Sequence, residues 1–150
     1  MFAFLGKLMG IAIRSKEYLA LSLPSIVWKL IIGEVPSSED LEGVDKPVMK
    51  NLDLLSAMDE ETFNGAFFEG DLKFVTISSD DQEVELGADG GQRIVTFANK
   101  GEYCETVQQY RLHEYDLQAD AIRRGLGTIV PLGMLTAFSW TDLGTIVSTT

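Results

Sequence analysis

Cys104 and His113 are the two most reactive side-chain types in this sequence, and each occurs once. Cys104 follows Tyr103 near the start of an expected helix, and a helix N-terminus lowers a thiol pKa toward the nucleophilic thiolate. A nucleophile also needs a base beside it, and none is identifiable next to Cys104. A small residue on a packed helix explains the position as simply. His113 reads as a surface residue of the same helix. One Cys and one His are too few soft ligands for structural zinc, so no metal site is expected. A lone thiol makes no internal disulfide, which fits a reducing compartment.

The stretch ELGADGGQRIVTFANKGEY, residues 85–103, raises phosphate binding. Gly87, Gly90 and Gly91 are close enough to form a cradle. A phosphate loop wants its glycines between a strand and a helix N-terminus. Here an apolar β-type run, RIVTFA, follows them, with no Lys-Ser or Lys-Thr pair. The glycines therefore read as a turn between strands. Carboxylates abound at Glu34, Glu39, Asp40, Glu42 and Asp45, at Asp59, Glu60 and Glu61, and at Asp80 and Asp81. No His complements them and nothing fixes a pair geometrically, so they read as solvated loop faces. No catalytic constellation emerges from local chemistry.

The balance of 12 Lys and Arg against 23 Asp and Glu gives a formal charge of −11. That argues against a nucleic-acid partner, which needs clustered cations, and against an anionic membrane surface. A chain of 150 residues, 45% hydrophobic and 23% charged, is expected to fold as one ordinary domain.

Periodicity supplies the elements that hold these residues. Residues 2–14 read as a helix that is apolar nearly all round, expected to be covered on most sides. Its apolar run is too short to span a bilayer, and Lys7 breaks it where a signal peptide would not. So abrupt a start suggests a piece of a longer protein. Residues 19–32 read as a second helix with Pro24 near its start, ended by Gly33. Ser37 and Asp40 have capping-box spacing. A third helix over 46–57 sets Val48, Leu52 and Leu55 on one face. LKFVTIS, residues 72–78, QEVELG and RIVTFA alternate as three strands. Asn99 and Glu102 suggest another capping box, opening one long helix to about Gly125 with Tyr103, Val107 and Tyr110 on a stripe. Ser139 and Asp142 cap a last short helix, TDLGTIV. Helices, a small sheet, then helices point to a mostly helical α+β fold rather than a parallel nucleotide-binding sheet.

These same residues resemble the N-lobe of HECT-type ubiquitin-protein ligases. The first helices carry Phe2, Gly6, Gly10, Ala12, Ile13, Leu19, Leu21 and Trp28–Leu30 of the family pattern. Asp40-Leu41, Glu85-Leu86, Gly90-Gly91, Val95-Thr96, Asn99 and Glu102-Tyr103 follow in order. Gln118, Ile122, Arg124-Gly125-Leu126, Val130-Pro131, Leu135, Phe138 and Asp142-Leu143 match the closing helices. Gly6 and Gly10, at i and i+4, would let another helix approach closely. One departure is Ser148-Thr149, where family members usually carry Cys-Gly.

The resemblance implies a partial N-lobe with a small antiparallel sheet. A subdomain at about 36–104 would bind the ubiquitin-conjugating enzyme, flanked by helices 2–32 and 100–147. It implies a thioester relay in which ubiquitin passes from the conjugating enzyme to a cysteine on a second lobe and then to a substrate lysine, with no cofactor. Cys104 has no catalytic standing in the family, so this chain alone is expected to be inactive. The implied docking groove uses Val48, Leu52, Leu55 and Met58 on the helix, Leu72 on the strand and Tyr103 on the long helix, with Met58 and Tyr103 the best-suited anchors. Ubiquitin and a substrate protein are the further partners, protein degradation in the cytoplasm or nucleus the setting. Self-association through the apolar first helix is a further expectation. The alternatives are a non-catalytic binding module of a degenerate ligase and a membrane-surface helical protein.

Overall fold

The structure, a computed structural model, describes residues 1–147; Ser148-Thr149 lie outside the described residues. Among the described residues two compact units form, one from residues 1–44 and 115–147, the other from residues 45–114.

The first unit holds α1 (Phe2–Ser15), α2 (Ser25–Ile32), α3 (Ser38–Val44) and, late in the chain, three further helices described below. Lys16, in the left-handed region, ends α1, and its N–H bonds back to Ala12. α1 buries one face only: Gly6, Met9, Gly10 and Ala12 are inside, while Phe4 (64% exposed) and Ile11 (52%) face outward. The expected cover on most sides is therefore absent within this unit. α2 starts at Ser25, six residues later than the apolar run suggested. Proline biases the residue before it away from helix, and Leu19, Leu21 and Leu23 alternate half-buried with exposed Ala20, Ser22 and Pro24. The Leu19 N–H donates to the Val147 carbonyl at 2.7 Å, holding that stretch extended.

The second unit holds α4 (Lys46–Ala57), α5 (Glu60–Ala66), β1 (Val75–Ile77), β2 (Glu83–Glu85) and α6 (Lys100–His113). β1 and β2 pair antiparallel, Val75 opposite Glu85 and Ile77 opposite Glu83. RIVTFA is not a third strand. It touches the hairpin through one isolated bridge, Lys73 to Ile94, with the Val95 N–H donating to Leu72 at 2.8 Å. The glycine stretch before it is a turn: a Cβ on Gly90 would stand 2.4 Å from the Phe74 carbonyl oxygen, so only glycine passes there. α5 was not legible in the pattern; the Asp59 carboxylate caps it through the Thr62 N–H at 2.8 Å.

The expected long helix is two, α6 and then α7 (Asp116–Gly127), interrupted at Glu114 and Tyr115. Glu114 is held by its side chain, which accepts from Arg111 at 3.0 Å and from the Ser79 N–H at 2.6 Å. α7 returns to the first unit, followed by α8 (Leu132–Leu135) and α9 (Trp140–Val147).

α1 packs along α7 at very short range. A Cβ on Gly6 would lie 1.9 Å from the Ile122 carbonyl oxygen, and one on Gly125 1.9 Å from that of Ala3. Met9, Trp28, Ile31, Ile122, Leu126 and Leu143 form the core of this unit. The mostly helical α+β class read from the pattern is the one observed.

Candidate functional site

The apolar centre of the second unit is built around Tyr103. α6 carries Tyr103, Cys104 and Val107 on its buried face, as helical spacing requires. They pack with Leu55 of α4, Phe63 of α5, Phe74, Leu86 and Val95. Leu52, Met58 and Leu72 are only half-buried against this cluster. Five of the six residues expected to line a docking groove thus fall in one apolar cluster. Val48 is half-buried outside it, in the first turn of α4, where its N–H donates to the Asp45 cap at 3.3 Å.

The members differ in access. Tyr103 is buried, its ring edge-on to Phe74 at 5.5 Å between centroids, and its hydroxyl donates to the Val75 carbonyl at 3.0 Å. Burial pushes its phenol pKa up. Leu55 is also buried. Leu52, Met58 and Leu72 are the part of the set that reaches solvent.

Two charged residues position this surface. Lys100 is buried, and its ammonium donates to the Leu55 carbonyl at 3.3 Å and to the Ser56 carbonyl. It closes the C-terminal end of α4, where free carbonyls favour a cation. Arg93 clasps Glu102 with two bonds of 2.8 and 2.6 Å and lies 3.9 Å over the Phe74 ring. This pair explains why the expected Asn99 capping box does not form. Glu102 is taken by Arg93, and Asn99 turns backward to accept the Thr96 N–H at 2.7 Å and donate to Ile94 at 3.1 Å. Sequence reasoning missed Lys100 and Arg93; the only signal was a cation just inside a helix start, an unfavourable place by dipole.

Cys104 is not set up as a nucleophile. Its thiol is buried and points at the Leu52 carbonyl, 3.6 Å away. Burial pushes its pKa up, outweighing the attraction of Lys100. Among the described residues, no group of three or more His, Cys, Asp or Glu could hold a metal ion. No described helix is long and apolar enough to cross a membrane.

In the first unit, Asp40 is the most strongly perturbed carboxylate. It accepts from Lys29 at 2.8 Å, Ser25 at 3.0 Å, and the Ser37 N–H and hydroxyl at 2.8 and 3.0 Å. Burial raises its pKa, but these four donors outweigh it and pull the group down to about 2. The capping box read from Ser37 and Asp40 forms by half: the Asp40 carboxylate takes the Ser37 N–H, while the Asp40 N–H bonds the Ser37 carbonyl rather than its hydroxyl, and Lys29 extends the cluster to α2. Ser139 and Asp142 form the other expected box, at 3.0 and 3.2 Å.

Residues 1–150 match the profile of the HECT-domain (ubiquitin-transferase) family. The chain is 36% identical to human E3 ubiquitin-protein ligase HERC2 over 98% of its length, which is 3% of that protein. It is 30% identical to human probable E3 ubiquitin-protein ligase HECTD4, over 91% of this chain and 4% of the relative. To the probable E3 ubiquitin-protein ligase hulA of Aspergillus clavatus it is 26% identical, over 97% of this chain and 18% of the relative. The chain thus spans a small part of each of these relatives. With residues 1–150 matched throughout and this identity to HERC2, the chain belongs to the HECT-domain family.

Proposed function

We propose that the chain is part of the N-lobe of a HECT ubiquitin-protein ligase and that its 45–114 unit docks a ubiquitin-conjugating enzyme. The observation that carries this reading is the half-buried Leu52, Met58 and Leu72 around the Tyr103 cluster. Apolar side chains held at a solvent-reaching surface by a rigid floor suit an inserted hydrophobic anchor, and Met adapts to such a guest.

In the proposed relay, a cysteine thiolate on another part of the ligase attacks the carbonyl of the conjugating enzyme's ubiquitin thioester. The enzyme's thiolate leaves and a ligase–ubiquitin thioester forms. A substrate lysine amine then attacks that carbonyl, giving an isopeptide bond and regenerating the ligase thiol. The raised pKa and burial of Cys104 support assigning it no part in this chemistry. The contribution of this chain is positioning. Protein turnover in the cytoplasm or nucleus is the setting that goes with this reading.

Calorimetric titration of a ubiquitin-conjugating enzyme into the chain tests it. Met58→Ala should weaken binding by roughly 1–3 kcal/mol with the fold intact, and unchanged affinity would reject Met58 as an anchor.

A further inference from the structure

A second opening in the 45–114 unit is lined by none of the six residues considered above, although its floor belongs to the same apolar cluster. It is a groove of about 370 Å³, walled on one side by α5 and the loop after it, and on the other by residues 94–97. Phe63, Phe67 and Phe97 form its aromatic floor, with Phe63 and Phe67 5.2 Å apart and Phe63 edge-on to Phe97 at 6.3 Å. Phe68, at its rim, is 82% exposed. Phe68 is contiguous with the apolar groove and enlarges its apolar surface, and contiguous exposed apolar surface is the kind that marks an interaction site.

Charge tells what chemistry would cover it. Residues 59–71 carry five carboxylates and no Lys or Arg. Asp59 is used as the cap of α5, and Asp71 accepts the Phe68 N–H at 3.2 Å. Glu69 lines the groove. Glu60 stands at i−4 and i−7 from Asn64 and Phe67, two lining residues, and so shares their helix stripe. Among the described residues neither Glu60 nor Glu69 has an ion-pair partner. Of the cations flanking the facing segment, Arg93 is committed to Glu102, and Lys100 donates to the end of α4 while its ammonium lies 5.1 Å from the Phe97 ring.

We propose that this groove binds a basic peptide segment of a partner protein, with one bulky apolar side chain seated on the Phe63–Phe67–Phe97 floor and flanking Arg or Lys on Glu60 and Glu69. The groove is lined by none of the residues assigned to the proposed conjugating-enzyme site, and the proposal does not depend on that reading. Phe68 would fold over the seated side chain, while Asn64 offers a polar edge to the peptide backbone.

Fluorescence anisotropy with the whole chain tests this. The probe is a labelled octapeptide of Arg and Lys around a central Phe-Leu pair. Two control peptides replace Phe-Leu by Gly-Ser, or the basic residues by Glu. The probe should bind saturably, and each control about tenfold or more weaker. Phe68→Ser and Asn64→Arg change exposed side chains, so they should keep the melting temperature while weakening the probe about tenfold. Val35→Ser, on the other unit, should change nothing. Absence of saturable binding, equal binding of the Gly-Ser control, or indifference to both groove variants would overturn the proposal. So would a loss of conjugating-enzyme affinity in Phe68→Ser, which would make the groove part of that surface. A shift of the parent chain from dimer to monomer in Phe68→Ser would assign it to a second copy instead.

Discussion

The Tyr103 hydroxyl donates to the Val75 carbonyl at 3.0 Å and so ties α6 to β1 across the floor of the proposed docking surface. Tyr103 acts as a strut, with its ring on Phe74 and its polar tip on the hairpin. Tyr103→Phe should lower stability by about 1 kcal/mol, the net worth of one such bond. Tyr103→Ala should cost about 3 kcal/mol or more by opening a cavity. Urea denaturation of both variants checks this, and a Tyr103→Ala protein as stable as its parent would contradict the packing described here.

The contact of α1 with α7 makes a sharp prediction about glycine. Gly6→Ala or Gly125→Ala would drive a methyl group to 1.9 Å from a backbone carbonyl oxygen. Backbone cannot swing aside as a side chain does, so the helices must separate, at about 1–3 kcal/mol or more. Gly43, in α3, has nothing within 4 Å of its absent Cβ. Gly43→Ala should therefore stabilise by about 0.4–1 kcal/mol, since it restricts the unfolded chain. Thermal melts of the three variants should show two falls and one rise.

Asp40 predicts an acid limb of stability. Its folded pKa is lowered from 3.8 to about 2, so the unfolded state takes up a proton first as pH falls. The contribution is complete above the unfolded pKa and disappears as pH drops through about 2. Its full size is up to about 2 kcal/mol. Denaturation of the parent and Asp40→Asn between pH 5 and pH 2 measures it. The gap between the two should shrink steadily toward low pH, and a gap independent of pH would contradict the four-donor arrangement.

What the sequence disclosed follows from the range of the interactions involved. Gly6 announces a close helix contact because the absence of a side chain is itself the signal, whereas Gly10, one turn on, makes room for the Ile129 side chain just past α7. Ser139 with Asp142 is legible in full, and Ser37 with Asp40 in its carboxylate half, because a capping box closes within one turn. Asn99 with Glu102 has the same spacing and fails, because Arg93 competes for Glu102 and wins with two charged bonds. The break between α6 and α7 hangs on Glu114 accepting from Ser79, 35 residues away, which no window of neighbouring residues contains. At the candidate site, Leu52, Leu55, Met58, Leu72 and Tyr103 share one cluster, but spacing alone did not separate the buried Tyr103 from the accessible Met58. The aromatic groove on α5 was illegible because the helix itself was, its short acidic turn resembling a solvated loop.

The proposed docking of a ubiquitin-conjugating enzyme is tested most directly by amide and methyl NMR shifts of the labelled chain during its titration with that enzyme. The largest changes should fall on Leu52, Met58 and Leu72 and on the methyl groups packed beneath them. Residues 1–44 and 115–147 should be silent. Shift changes confined to those outer residues, or no changes at saturating enzyme, would contradict the account.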